Sequence, residues 1–242
     1  MTVTAILSAL AEEQQGLLEQ LHKPQRVRHG GRDFWEGELN SHRVVLGLSR
    51  IGKVAAATTA TTLITCLGVH RIVFTGVAGG IGSSVKVGDV VVATEFVQHD
   101  LDASPIFPRY EVPLYGKTCF ACDSALTEML FEASRKALAE TMQGHAQLHR
   151  GLIASGDRFV SAADESRGIQ RALHEAGLDV LAIEMEGAAV AQVCFDFGVP
   201  FAAVRTISDR ADDQAHVDFP MFVAEVASGY AQSIMTNLFR SL

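Results

Sequence analysis

The sequence has few cysteines, no long uncharged apolar stretch and no signal-like beginning. Four cysteines among 242 residues are too few for a disulfide scaffold and fit a reducing compartment. No apolar segment reaches the roughly 18 residues that a transmembrane helix requires, and no basic region precedes an apolar core near residue 1. We therefore expect a cytoplasmic protein that has no membrane partner.

An excess of positive charge is also absent. The formal net charge is -8, and the lysines and arginines are scattered along the chain instead of forming runs. A nucleic-acid-binding protein normally presents a basic face. The charge distribution therefore argues against a nucleic-acid partner.

The chain contains no linker, and its 48% hydrophobic residues can bury a large core, so we expect one domain over residues 1–242. Strands are predicted over residues 3–10, 34–39, 44–49, 71–75, 90–93, 149–154, 180–183 and 200–207. Helices are predicted over residues 11–22, 52–67, 124–140, 163–176, 187–197 and 219–242. This alternation predicts an α/β fold, a three-layer sandwich around a mixed, largely parallel β-sheet. Residues 99–117 form a long irregular segment that suits a lid or a pocket wall.

Charged residues gather where two predicted strands end. Glu184, Met185 and Glu186 directly follow one apolar run, and Arg205 and Asp209 lie in the next predicted strand and at its end. Such strand ends are where α/β proteins expose chemistry. The cluster predicts a site that handles protons and hydroxyl groups, with solvated loop charges as the alternative.

Two glycine-containing segments resemble known phosphate-binding motifs incompletely. Gly47–Val54 fills seven of eight P-loop positions, but Val54 stands where a hydroxyl is needed to hold Mg²⁺, so triphosphate hydrolysis is rejected. Gly76–Gly80 lacks the spacing of a dinucleotide site. A glycine-rich loop close to a ligand is favoured there over a plain turn.

Metal or redox chemistry is a minority interpretation. Cys119 and Cys122 form a C-x-x-C pair, but Cys66 and Cys194 are isolated and supply no second pair for a structural zinc. His99–Asp102 contains one histidine and no second one at ligand spacing. We expect no metal at either place.

Seven segments, taken in order, resemble the nucleoside phosphorylase and nucleosidase superfamily, and within it the 5′-methylthioadenosine/S-adenosylhomocysteine nucleosidases. Each match alone is weak, but their collinear order nearly from end to end is specific. The segments are residues 9–13 (ALAEE), 49–56 (SRIGKVAA), 75–80 (TGVAGG), 87–91 (VGDVV), 151–159 (GLIASGDRF), 184–186 (EME) and 204–209 (VRTISD). The resemblance implies a nucleoside phosphorylase-like fold.

The resemblance also implies hydrolysis of the N-glycosidic bond of a 5′-thioadenosine, without an organic cofactor or a metal. Asp209 would protonate the departing adenine, with Ser208 holding Asp209 in place. An aspartic acid can donate this proton only if its surroundings raise its pKa. Glu13, which alone would suit only the first turn of a helix, matches the acid that activates water. Arg205 would lie close to Glu13 and to that water.

The remaining matched residues imply a nucleoside-shaped pocket. Glu186 would accept hydrogen bonds from ribose hydroxyls, and Met185 would pack on the ribose face. The other implied substrate-binding residues are Val77 and Ala78 of the glycine segment, Phe159 stacking on adenine, Val160 reading the purine edge through its backbone, and Ile51, Phe219 and Ile106 or Phe107 lining the channel for the 5′-group. A thioether suits such an apolar channel. The family also implies a homodimer in which the neighbouring subunit completes the pocket.

Two departures from the nucleosidase pattern keep alternatives open. Val77 replaces a usual serine and Arg50 a usual glycine, and an inward-pointing Arg50 would favour phosphate as the nucleophile. Glu13 would repel phosphate at the same place. The alternatives are a nucleoside phosphorylase, a hydrolase of another nucleoside such as futalosine, and a non-catalytic purine-binding protein.

Overall fold

The computed structural model describes residues 2–141, 146–212, 222 and 228–242. Their strands are β1 Thr4–Ser8, β2 His22–His29, β3 Arg32–Leu39, β4 His42–Leu48, β5 Arg71–Gly80, β6 Val90–Gln98, β7 Cys119–Ala121, β8 Leu148–Ser155, β9 Val180–Glu184 and β10 Phe201–Asp209. Their helices are α1 Ala11–Gln20, α2 Lys53–Leu67, α3 Ser124–Thr141, α4 Ala163–Glu175, α5 Gly187–Phe197 and α6 Ser228–Ser241.

All ten of these strands belong to one mixed sheet. From one edge the order is β2, β3, β4, β1, β5, β9, β8, β6 and β10, with β7 paired to β6. Because β10 also pairs with β5, the strands β5, β9, β8, β6 and β10 close into a ring. The expected α/β fold with a mixed sheet is confirmed. Parallel pairs such as β5 with β10 occur beside antiparallel pairs such as β5 with β9.

Helices cover both faces of the sheet. On one face, α2 and α5 contribute small side chains such as Ala56, Ala60 and Ala188 to one core cluster, which lets both helices approach the strands closely. On the other face, α1, α3 and α6 bury larger residues, among them Leu17 and Leu130. This layering gives the predicted sandwich.

Several local predictions agree with the observed elements. The α5 helix spans Gly187–Phe197 as predicted, and α1 and α2 differ from their predicted bounds by one or two residues at an end. Asp123 caps α3, since its Oδ1 accepts the Leu126 N–H at 2.8 Å. Of the predicted final helix over residues 219–242, α6 occupies Ser228–Ser241, and Phe219 lies outside the described residues.

Three segments differ from the prediction. The short strand β7 was not predicted. β2 was not predicted either; its side chains are almost all exposed, and besides the partly buried Val27 it is held by backbone pairing to β3. Gly76–Gly80 is the second half of β5 and not a loop, because β10 and β9 pair with it. The glycines therefore bring strand backbone, instead of a loop, to the cavity described below.

No helix in the part of the chain that the structure describes is both long and apolar enough to cross a membrane.

Candidate active site

A cavity of about 270 Å³ opens where β5, β9 and β10 end. Its walls are mainly apolar, with acidic side chains set into them. The lining residues are Ala9, Leu10, Glu13, Ile51, Val77, Ala78, Gly79, Arg158, Phe159, Val160, Ile183, Glu184, Met185, Glu186 and Asp209. A small apolar cavity with a few convergent polar groups is the usual form of a small-molecule site.

Glu13 projects from the first turn of α1 and is only 2% exposed. Its Oε2 accepts the N–H groups of Ala9 and Leu10 at 2.8 and 3.0 Å, and its Oε1 accepts the Val77 N–H at 3.1 Å. Burial raises the pKa of Glu13, although these N–H groups and the charge of Arg205 oppose the rise. A carboxylate held rigidly and made more basic in this way is suited to accept a proton.

Glu186 lies in the turn after β9, directly before α5, and its side chain is part of the cavity wall. Its Oε1 accepts the Gly52 N–H at 2.9 Å, from the residue that precedes α2. Burial, with a further contribution from the neighbouring charge of Glu184, raises the pKa of Glu186 to about 8. A carboxyl in this state exchanges readily between accepting and donating hydrogen bonds near neutral pH.

Asp209 ends β10 and is 2% exposed. The Ser208 hydroxyl donates to its Oδ2 at 2.8 Å, and the Ala211 N–H donates to its Oδ1 at 2.7 Å. Its Oδ1 lies so close to Gly79 that a Cβ added there would come within 2.9 Å. Ser208, expected among the substrate-binding residues, lies behind Asp209 and does not itself line the cavity.

Arg205 lies outside the cavity wall, although its charge acts on Glu13, the neighbour expected for it. Its guanidinium is not part of the cavity wall; it is buried against Phe74, 4.1 Å from the ring centroid, and donates to Glu184 Oε2 at 2.8 Å. Arg205 is held there because Glu184, at the end of β9, provides a buried counter-charge. From there its positive charge opposes, without cancelling, the rise that burial causes in the pKa of Glu13 and of Glu186.

Glu184 had no assigned role in the sequence, and the structure gives it one. Its carboxylate accepts both the Glu186 N–H at 3.2 Å and the Gly187 N–H at 2.9 Å, and also the Ser155 hydroxyl. It therefore fixes the start of α5 and the turn that carries Met185 and Glu186. The acidic cluster pointed to Glu184 in the sequence, but its partner Arg205 lies 21 residues away.

The remaining predicted substrate-binding residues line the cavity, lie away from it, or fall outside the described residues. Ile51, Val77, Ala78, Phe159, Val160 and Met185 all line the cavity. Phe107 and its neighbour Ile106 do not, because the N–H groups of both turn back to the Ala103 carbonyl and Tyr115 ties the same segment to Asp196 at the far end of α5. Phe219 cannot be placed, since it lies outside the described residues.

Arg158 is a lining residue that the sequence analysis did not single out. Its side chain is 76% exposed, and its Nε lies 3.0 Å from Glu165 Oε1. Arg158 lies inside the matched segment 151–159, and this location could have marked it as a candidate site residue. It brings a positive charge to the wall, partly neutralised by Glu165.

Arg50 points away from the cavity. Its Nη2 donates to the Gly31 carbonyl at 2.9 Å, in the turn between β2 and β3. Lys53 of the same segment is also engaged elsewhere, since its Nζ lies 2.5 Å from Asp100 Oδ1. Neither cation of the P-loop-like segment is directed at a ligand in the cavity.

The cysteines are all unbridged thiols. Burial raises the pKa of Cys119 to about 11 and that of Cys122 to about 12, which disfavours the thiolate needed for redox exchange or metal binding. Among residues 2–141, 146–212 and 228–242, no three histidine, cysteine or acidic side chains are grouped so that they could hold a metal ion.

The arrangement can carry out acid-base chemistry on a small polar ligand. Glu13 lies against Gly76 and Asp209 against Gly79 of the same strand, and both acids line the cavity. Glu186 and Met185 enter from the turn after β9, and Phe159 offers an aromatic face. Two buried carboxyls with space between them suit the protonation of a leaving group and the activation of water.

Comparisons with known proteins identify the family. The sequence profile described as phosphorylase superfamily matches residues 3–240. The 5′-methylthioadenosine/S-adenosylhomocysteine nucleosidase from Neisseria meningitidis is 36% identical, with a TM-score of 0.88 and 100% of both chains covered. The S-adenosylhomocysteine nucleosidase from Streptococcus pyogenes is 33% identical, with a TM-score of 0.87 over 99% of this chain and 97% of that one.

A futalosine hydrolase of Helicobacter pylori is similar to nearly the same degree. It is 31% identical, with a TM-score of 0.87 over 100% of this chain and 98% of that one. The family is the same in all these comparisons, whereas the substrates named for the relatives differ. The chain therefore belongs to the phosphorylase superfamily, as an enzyme of its nucleosidase class.

Proposed function

We propose that this enzyme hydrolyses the N-glycosidic bond of 5′-methylthioadenosine and S-adenosylhomocysteine, releasing adenine and a 5-thioribose. The observation that carries the proposal is the placement of two buried carboxyls, Glu13 and Asp209, along one strand that lines an apolar cavity. The nucleosidases of Neisseria meningitidis and Streptococcus pyogenes, similar over almost the whole chain, support it.

In the proposed reaction Asp209 donates a proton to the purine as the glycosidic bond breaks. The Ser208 hydroxyl and the Ala211 N–H fix the orientation of its carboxyl. Phe159 stacks on the purine, and the backbone of Val160 reads its edge. Loss of the purine as a neutral base removes the main barrier to cleavage.

Glu13 takes a proton from the water that attacks the ribose. Three backbone N–H groups hold this carboxylate in one place, and burial makes it a stronger base than an exposed glutamate. Glu186 holds the ribose hydroxyls, and because burial raises its pKa to about 8, near neutral pH it does so mainly as the neutral acid. Arg205 acts from behind Glu184 and does not contact the water in this scheme.

Hydrolysis is favoured over phosphorolysis by the charges of the wall. Among the described lining residues, four are acidic (Glu13, Glu184, Glu186 and Asp209) and Arg158 alone is basic. Arg50, the cation that would have favoured phosphate, is bonded to Gly31 instead. Arg158 is paired with Glu165, so the described wall offers an inorganic phosphate ion little free positive charge.

The proposal includes a cytoplasmic homodimer whose neighbouring subunit completes the pocket. Ile51 lines the cavity yet is 58% exposed, and Phe159 is 43% exposed, so part of the wall is open to a further surface. Phe107, which does not reach its own cavity, would then reach the neighbour's. Light scattering coupled to gel filtration tests this, and a monomer under assay conditions would remove the dimer from the proposal.

The test is an assay of purine release from methylthioadenosine, adenosylhomocysteine, inosine and futalosine, each with and without phosphate. We expect adenine from the first two at rates independent of phosphate. Preference for futalosine would select the alternative supported by the Helicobacter pylori hydrolase. A requirement for phosphate, with formation of a ribose 1-phosphate, would refute hydrolysis.

A further inference from the structure

The N-terminus of α2 offers two consecutive amides to carboxylates from distant parts of the chain. The Gly52 N–H donates to Glu186 Oε1 at 2.9 Å, and the Lys53 N–H donates to Asp157 Oδ1 at 2.7 Å. Glu186 lies in the cavity wall, whereas Asp157 lies outside it, in the loop between β8 and α4 (residues 156–162, the β8–α4 loop). One helix end therefore joins the turn after β9 to the β8–α4 loop.

Asp157 is held through its backbone as well as its side chain. Its N–H donates to Asp100 Oδ2 at 2.8 Å. The Lys53 ammonium lies 2.5 Å from Asp100 Oδ1 and 3.9 Å from Asp157 Oδ2, and it also donates to Gln98 at 3.1 Å. A single lysine thus lies between two acids that both contact the start of the β8–α4 loop.

The close approach of this carboxylate to the helix depends on Gly52. Its φ of 94° lies in the left-handed region, and a Cβ added there would come within 3.2 Å of Asp157 Oδ1. The backbone at this position therefore brings one N–H to Glu186 while leaving room for Asp157 beside it.

We propose that Asp157 is a positioning residue that fixes the β8–α4 loop against the N-terminus of α2 and so sets the distance between Phe159 and Glu186. This inference rests on the proposed function, in which Phe159 stacks on the purine and Glu186 holds the ribose. A nucleoside has a nearly fixed distance between base and sugar, so a loose loop weakens binding first. Asp157 itself contacts no substrate.

Steady-state kinetics on methylthioadenosine with the full-length enzyme test this role. Asp157→Ala should raise KM at least tenfold while kcat changes less than about threefold, since the acid and the base are untouched. Asp157→Asn keeps an oxygen that accepts the Lys53 N–H and should stay within about threefold of the wild type in both constants. Asp164→Ala removes an exposed acid of α4 that pairs with Arg167, and it serves as the matched control.

Three outcomes would overturn the positioning role. The first is an unchanged KM in Asp157→Ala. The second is an Asp157→Asn variant as impaired as the Ala variant. The third is a rise in KM matched by an equal fall in kcat, together with a lower melting temperature. Failure of the proposed function is separable, because it is read from the wild type, which would then release no purine from any nucleoside. In that event calorimetric binding of methylthioadenosine, which is then not cleaved, decides: a tenfold weakening in Asp157→Ala supports the positioning role, and unchanged binding or none in the wild type overturns it.

Discussion

The guanidinium of Arg205 lies 2.8 Å from the carboxylate of Glu184, and both side chains are at most 3% exposed. The same carboxylate accepts the N–H groups that begin α5, so the pair joins β9, β10 and α5 behind the cavity. A buried ion pair adds little net stability when whole, but it is costly to break because the remaining charge has no partner. The pair is therefore expected to matter more for the shape of the site than for contact with a ligand.

Glu184→Ala should destabilise the protein by about 3–5 kcal/mol, because it leaves Arg205 buried without a counter-charge. Urea unfolding, with the slope checked for two-state behaviour, measures this difference. Asp164→Ala, which removes an exposed ion pair with Arg167, should change stability by less than about 1 kcal/mol. Equal stability of the two variants would contradict the structural role of Glu184.

Glu13→Gln should lower kcat for adenine release by roughly 10²–10⁴, because an amide cannot take a proton from water. The amide oxygen can still accept some of the backbone N–H groups, so binding of adenine should persist. Glu12→Gln is the matched control, since Glu12 is the exposed neighbour in the same helical turn. Normal turnover in Glu13→Gln would remove Glu13 from the mechanism.

Asp209→Asn should reduce adenine release by a similar factor of about 10²–10⁴ while nucleoside binding is largely kept, because only the proton donor is lost. Ser208→Ala leaves the acid in place and removes one hydrogen bond to it, so its loss should be smaller. Single-turnover kinetics with calorimetric binding separate the two effects. Undiminished cleavage by the Asn variant would exclude Asp209 as the proton donor.

The pH dependence of stability should depend on Glu186. Burial raises its pKa in the folded enzyme, so its contribution to stability is full below its ordinary pKa of 4.5 and is lost as pH rises through about 8. Glu186→Gln cannot ionise, and its melting temperature should therefore exceed that of the wild type by several degrees near pH 8.5, with the difference shrinking toward pH 4.5. Scanning calorimetry of both proteins across this range measures the effect, and a constant difference at all pH values would contradict it.

The sequence predicted best where one face of an element is buried. The α5 helix and the strands around Asn40-Ser41 carry clear apolar patterns, and their observed bounds lie close to the predicted ones. β2 has no such pattern, because nearly all of its side chains face solvent and Val27 is the hydrophobic residue of the strand that packs against the core. No local signal distinguishes such an edge strand from a polar loop.

The candidate site shows the same contrast. Segment matches indicated Glu13, Glu186 and Asp209, and all three line one cavity. The position of Arg205 depended on which strand lies beside β10 and on a carboxylate 21 residues away, neither of which the local sequence contains. Gly76–Gly80 suggested a loop because glycine favours turns, whereas pairing on both sides makes it a strand.

The closed ring of β5, β9, β8, β6 and β10 separates chemistry from selectivity. Asp209, Glu184 and the glycines that face the acids belong to strands that have neighbours on both sides, so a change there disturbs the whole ring. Ile51 and Phe159 stand on the rim with large exposed fractions and can be exchanged at little cost to folding. If the proposed roles hold, substitutions at Ile51 and Phe159 should change which nucleoside is bound while the proposed acid Asp209 and base Glu13 stay in place.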